Sequence, residues 1–212
     1  MSDKGLRAPE LARVEVESLD RSAFLVRGAL AAGAIYGATA VTPFVRKVFA
    51  QGSMGDVDIL NFALTLEYLE ASFYQEAAKQ VSGLSGEVAG YVKTFGDEEQ
   101  EHLDALKVTI TDLGATPVEA PKVDFGDAFS SQDAFLKLAV VFEDTGVSAY
   151  NGAAPAIESK DLLATAGSIA QIEARHAAVI RLAAGDQPAP EAFDPTLTED
   201  EVLKAVMPFI AS

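Results

Sequence analysis

The chain contains no cysteine, which excludes disulfides, thiolate nucleophiles and zinc or iron–sulfur sites built on Cys. That absence leaves the redox compartment open. Basic residues are scarce: 16 Lys and Arg face 32 Asp and Glu, for a net charge of −16. This balance argues against nucleic acid, and against an anionic membrane surface, as the main partner. Runs of β-branched residues are few, and no strand signal competes with helix. Histidine occurs only twice in 212 residues.

What is present favours helix. Nearly half the residues are hydrophobic (49%), with Ala and Leu plentiful, and the length suits one domain with an appendage. Charge is unevenly shared. Residues 1–50 carry 7 Lys/Arg against 5 Asp/Glu, a net +2, while residues 51–212 carry 9 against 27, a net −18. The first fifty residues therefore have a separate task. Arg21 and Arg27 flank Ser22-Ala23-Phe24-Leu25, an uncharged stretch runs from Gly28 to Val45, and small Ala50 follows Arg46-Lys47. A basic region, an apolar region and a small residue form the layout of an export signal. The phrase Asp20-Arg21-Ser22-Ala23-Phe24-Leu25 resembles a twin-arginine translocation signal, with Ser22 in place of the second arginine. Residues 1–50 are thus expected to be a signal-like or anchor segment that meets the export machinery or a membrane. The resulting location is periplasmic or at the cell surface; the alternatives are a membrane-anchored or a cytoplasmic protein that retains the segment. The folded domain is expected over 52–212.

Both histidines close the same phrase, Glu-x-x-His: Glu99-Gln100-Glu101-His102 and Glu173-Ala174-Arg175-His176. On a helix, positions i and i+3 share a face one turn apart, so a carboxylate and an imidazole can hold one metal ion or two adjacent ions. With 17 Glu in 212 residues, two coincidental matches are roughly a one-in-a-hundred event.

Periodicity predicts four long helices, over Asp56–Val81, Glu87–Leu113, about Gln132–Ile157 and Asp161–Ala184. Gly83 and Gly86 punctuate the first link and Gly114 and Pro117 the second, while Pro155 breaks the third helix and Gly185 ends the fourth. A capping box at Thr198-Glu199-Asp200-Glu201 starts a short helix that reaches Met207-Pro208. The link over 115–131 is too long for a tight hairpin, so the connectivity is that of a bundle with one crossover.

Helix stripes that face a core should be apolar, and charges on them need a reason. The stripe 88, 92, 95, 99, 102, 106 passes through Glu99 and His102, and 162, 166, 169, 173, 176, 180 passes through Glu173 and His176. The first helix places Glu67 and Glu70 on its stripe, and the third places Glu143. Tyr74 and Tyr150 each follow a glutamate, Glu67 and Glu143, by seven residues, so the two helix pairs read as a weak internal repeat. The repeat favours Glu67 as ligand over Glu70, which is an extra ligand or an acceptor behind one. Tyr74 and Tyr150 read as core aromatics or as redox participants. Glu98 lies off the stripe and reads as solvated, and Asp144 as exposed or orienting a histidine.

This pattern, with Asp56-Val57-Asp58-Ile59-Leu60-Asn61-Phe62-Ala63-Leu64 leading into Leu66-Glu67-Tyr68-Leu69-Glu70-Ala71, resembles the ferritin-like superfamily over about 56–184. That superfamily includes bacterioferritins, rubrerythrins and manganese catalases, and the likeness is to its bacterial, desiccation-related branch. The resemblance implies an all-α fold, a ferritin-like four-helix bundle. It implies metal ligation by Glu67, Glu99, His102, Glu143, Glu173 and His176, with Glu99 and Glu173 bridging. Carboxylate with imidazole suits two iron ions or, equally, two manganese ions. The expected activity is that of a di-iron oxidoreductase acting on Fe2+, O2 or peroxide in iron handling or oxidative-stress defence. The alternatives are a manganese catalase and a non-catalytic stress-related bundle stapled by metal. Assembly into a homo-oligomer is compatible with this reading.

Overall fold

The computed structural model describes residues 55–211. Four long helices follow the predicted spans closely: α1 (Asp56–Gln80), α2 (Gly86–Asp112), α3 (Gln132–Ala153) and α4 (Lys160–Ala184), then a short α5 (Glu199–Val206). Their ends are set by local chemistry. Ser85, Ser131 and Ser159 each accept a hydrogen bond from a backbone N–H in the first turn of α2, α3 and α4. Thr198 and Glu201 form the reciprocal capping box of α5. Gly185, at φ 88°, closes α4 with its own N–H on Leu182 and that of Asp186 on Arg181, a Schellman ending that a residue with a Cβ would strain. Pro155 ends α3 in a 3₁₀ turn, Ala154–Ala156. Leu113, expected as the last residue of the second helix, caps it instead and is exposed.

Helix α1 packs chiefly on α2, and α3 on α4. The crossover runs from one end of the bundle to the other. At its start the Val118 N–H donates to Asn61 near the beginning of α1, and at its close Gln132 accepts from the Ser85 N–H beyond the end of α1. α1 and α3 are therefore antiparallel. Within the crossover, the 3₁₀ turn Gly126–Phe129 brings Phe125 and Phe129 onto Phe73, with ring centroids 5.3 and 5.4 Å away. The last residues return to this link, where Ala211 donates to Lys122 and Asp124 to Phe209.

Two apolar clusters fill the bundle. One gathers Phe73, Phe95, Phe135, Phe142, Ile180 and the α5 residues Val202 and Val206. The other gathers Leu60, Leu64, Leu103, Leu106, Ile110 and Ile169. A layer of buried carboxylates and imidazoles accompanies them. No helix among the described residues is long and apolar enough to cross a membrane. The signal-like or anchor reading of residues 1–50 lies outside the described residues.

Candidate metal centre

The repeated phrase lands mid-helix on α2 and on α4, and Glu67 and Glu143 stand mid-helix on α1 and α3. Glu67, Glu99, Glu143 and Glu173 are 0% exposed and His176 is 1% exposed. His102 is the least enclosed of the six, its side chain 11% exposed. Four fully buried acids in one layer need a strong compensating charge.

Their geometry divides into two overlapping groups. Glu67, Glu99, His102 and Glu173 form one, and Glu99, Glu143, Glu173 and His176 the other, with ligand atoms within 4.8 Å of one another in each. A cation with bonds of about 2.1 Å holds opposite ligands about 4.2 Å apart, so each group closes around an ion with small side-chain movements. Glu99 and Glu173 belong to both groups. Nδ1 of His102 faces Glu173, Glu99 and Glu67 at 3.0, 3.3 and 3.4 Å. Nδ1 of His176 faces Glu99 and Glu143 at 2.8 and 3.6 Å, and the two rings are 6.4 Å apart. Of these approaches, that of His102 Nδ1 to Glu99 Oε2 is a hydrogen bond. Glu67 Oε2, Glu99 Oε1, Glu143 Oε2, both oxygens of Glu173 and His176 Nδ1 are buried without a hydrogen-bond partner. Lone pairs converging in this way fit two cations, and the carboxylate–imidazole donor set fits iron or manganese.

The electrostatics agree. Burial pushes the Glu67 carboxyl up to about 7 against the pull of His102. Burial, with Glu173 and Glu99 beside it, holds Glu70 well above the ordinary carboxylate range. Burial and Glu99 do the same to Glu173. Glu99 is the exception: burial would raise it, but the adjacent imidazoles of His102 and His176 hold it at about 2. Burial alone would lower the imidazoles, yet the facing carboxylates push His102 up to about 12 and His176 up to about 11. The layer demands positive charge. Without a cation, protons on the two rings supply it.

The family model described as a ferritin-like domain matches residues 55–186, from the start of α1 to just past α4. The chain belongs to the ferritin-like domain family. Comparison with curated proteins gives no match.

In this ferritin-like bundle the supporting side chains are arranged pseudo-symmetrically. Tyr74 donates its phenol to Glu143, and Tyr150 donates to Glu67 Oε1 at 2.5 Å. Each tyrosine is buried and also orients a carboxylate of the opposite helix pair. Glu70 belongs to neither ligand group. It occupies space that α3 opens at Gly146, where a Cβ would stand 3.0 Å from Glu70 Oε1 and 3.1 Å from Glu173 Oε2. Asp144 orients no imidazole; it pairs with Arg181 at 2.7 Å.

One contact corrects the sequence reading. Glu98, expected to be solvated, accepts from His176 Nε2 at 2.7 Å while its side chain stays 42% exposed. Phe95 stacks on the same ring at 4.0 Å. Together they turn Nδ1 toward Glu99 and Glu143. Adjacency to Glu99 is the one trace of this in the sequence, since the helix carrying Glu98 is not the one carrying His176.

Proposed function

We propose that this ferritin-like chain is a di-metal carboxylate oxidoreductase that holds two iron ions and oxidises Fe2+ with dioxygen or peroxide. The observation that carries the proposal is the pair of ligand groups sharing Glu99 and Glu173. Two adjacent irons, when bound, supply one electron each, so that two Fe2+, one O2 and two protons give two Fe3+ and one H2O2. Glu67 with His102 would hold one ion and Glu143 with His176 the other, Glu99 and Glu173 serving both. Tyr74 and Tyr150 hold the carboxylates of Glu143 and Glu67 by their phenols. The aromatic and aliphatic clusters keep bulk water from the layer, which strengthens every charge–charge interaction inside it.

Metal analysis of the purified protein, followed by Fe2+ oxidation and peroxide turnover, tests the proposal. Two irons per chain with rapid Fe2+ oxidation is the expected result. Two manganese ions with oxygen released from peroxide would replace it with catalase activity. Bound metal without turnover would reduce the centre to a staple for the fold.

A further inference from the structure

An apolar cavity lies at the α1 N-terminal end of the bundle, beside the ligand layer but containing none of the ligands. Its inner wall is Leu60 and Ala63 of α1, Leu106 of α2, Tyr150 of α3 and Ile169 of α4. It exists because α2 and α4 face each other here through Ala105, Thr109, Thr165 and Ala166, side chains too short to fill the gap. Ala105 and Thr165 are exposed and Thr109 is half-buried, and these three form the outer rim. Tyr150 stands between the cavity and the centre, its ring against the cavity and its hydroxyl on Glu67.

Size and chemistry restrict the occupant. The volume is about 30 Å³. A water-sized sphere needs roughly 10–15 Å³ on this measure, and an apolar cavity that takes benzene is about 150 Å³, so a diatomic fits and an alkyl chain or ring does not. No charged side chain lines the space. The rim hydroxyls turn their protons back to their own helices: Thr109 donates to Ala105 O at 2.8 Å and Thr165 to Asp161 O at 3.1 Å. The Tyr150 hydroxyl is committed to Glu67. Against the inner wall of Leu60, Ala63, Leu106 and Ile169 a water finds no donor and falls short of the two to four partners it needs, and hydrogen peroxide, with more polar groups to satisfy, is disfavoured further. Dioxygen has no such requirement.

We infer that this cavity is a holding site for dioxygen, delivering it past Tyr150 to the ligand group of Glu67 and His102, while peroxide reaches the centre by another way. The inference rests on the oxidoreductase reading and narrows its oxidant.

Crystals of the wild-type protein pressurised with xenon, an apolar probe, should show one xenon against Leu106, Tyr150 and Ile169. Ala166→Phe should abolish that xenon while the protein still binds two irons. In single-turnover oxidation of the Fe2+-loaded variant, the rate with O2 should fall about tenfold, equivalent to roughly 1.4 kcal/mol on the barrier, and the rate with H2O2 should hold. Ala105→Leu narrows the same gap from the opposite wall and serves if the first variant folds poorly. An active wild-type protein with no xenon in the cavity would overturn the inference alone. So would variants in which the O2 rate is unchanged, or in which both oxidants slow equally. Wild-type protein that takes up xenon but leaves Fe2+ unoxidised by O2 would instead sink the oxidoreductase reading, and this role for the cavity with it.

Discussion

Glu98 shows how much one ligand depends on a residue that is not a ligand. An imidazole can present either nitrogen to a metal, and the partner of the other nitrogen decides which. Here Glu98 takes Nε2 of His176 and leaves Nδ1 to the carboxylates. Glu98→Ala should weaken binding at the position served by His176 by about 10- to 100-fold, the usual cost of losing such a partner. The position served by His102 should be untouched, because no contact joins that ring to Glu98. A calorimetric metal titration should therefore separate into a tight and a weak step. Glu98→Gln keeps an acceptor oxygen and should restore most of the affinity. Equal weakening of both steps would show that Glu98 acts on the fold and not on one ring.

At the scale of the element, an antiparallel pair explains the crossed tyrosines. Seven residues along a helix is about 10.5 Å, too far for Tyr74 to reach Glu67, its own predecessor by two turns. Because α3 runs the other way, Glu143 stands at the height of Tyr74, and Glu67 at the height of Tyr150. The tail segment after α4 is likewise held by an element far from it in sequence. Leu197 donates to Ser148 O at 3.1 Å, and a Cβ on Gly152 would lie 2.0 Å from Leu197 O. Gly152→Ala should lift the tail from α3 and loosen α5, whose Val202 and Val206 are buried in the aromatic cluster. Overpacking of this kind costs on the order of 1–3 kcal/mol, a drop in the urea midpoint that Gly167→Ala, with open space around it, should not reproduce. These cases also mark what the sequence discloses. Helix spans, and the inward stripes carrying Glu67, Glu99, Glu143 and Glu173, are local properties of period and punctuation, and they are legible. The reach of Glu98 to another helix, the room that Gly146 makes for Glu70, the crossing of the tyrosines and the gap between α2 and α4 depend on which helices become neighbours. No periodicity encodes that.

For the molecule as a whole, the acid layer couples metal, protons and stability. Without a cation, the folded chain holds protons that the unfolded chain releases. Glu67, raised from 4.5 to about 7, contributes stability that is full below pH 4.5 and gone above pH 7, about 3 kcal/mol at 1.36 kcal/mol per unit. His176 and His102, raised from 6.5 to about 11 and about 12, contribute fully below pH 6.5 and progressively less as pH rises toward those values. Glu99, lowered to about 2, runs the opposite way, but its contribution is lost only as pH falls from 4.5 toward 2. Between pH 5.5 and 8, therefore, the groups that matter all weaken the chelated protein as pH rises. Metal ions displace the same protons, so their affinity, and the stability they confer, grow with pH. Scanning calorimetry with chelator should show Tm falling from pH 5.5 to 8, while with two equivalents of Fe2+ under anaerobic conditions the gap between bound and chelated protein should widen over the same interval. A gap that stays constant would mean that the cations bind somewhere other than among these carboxylates and imidazoles.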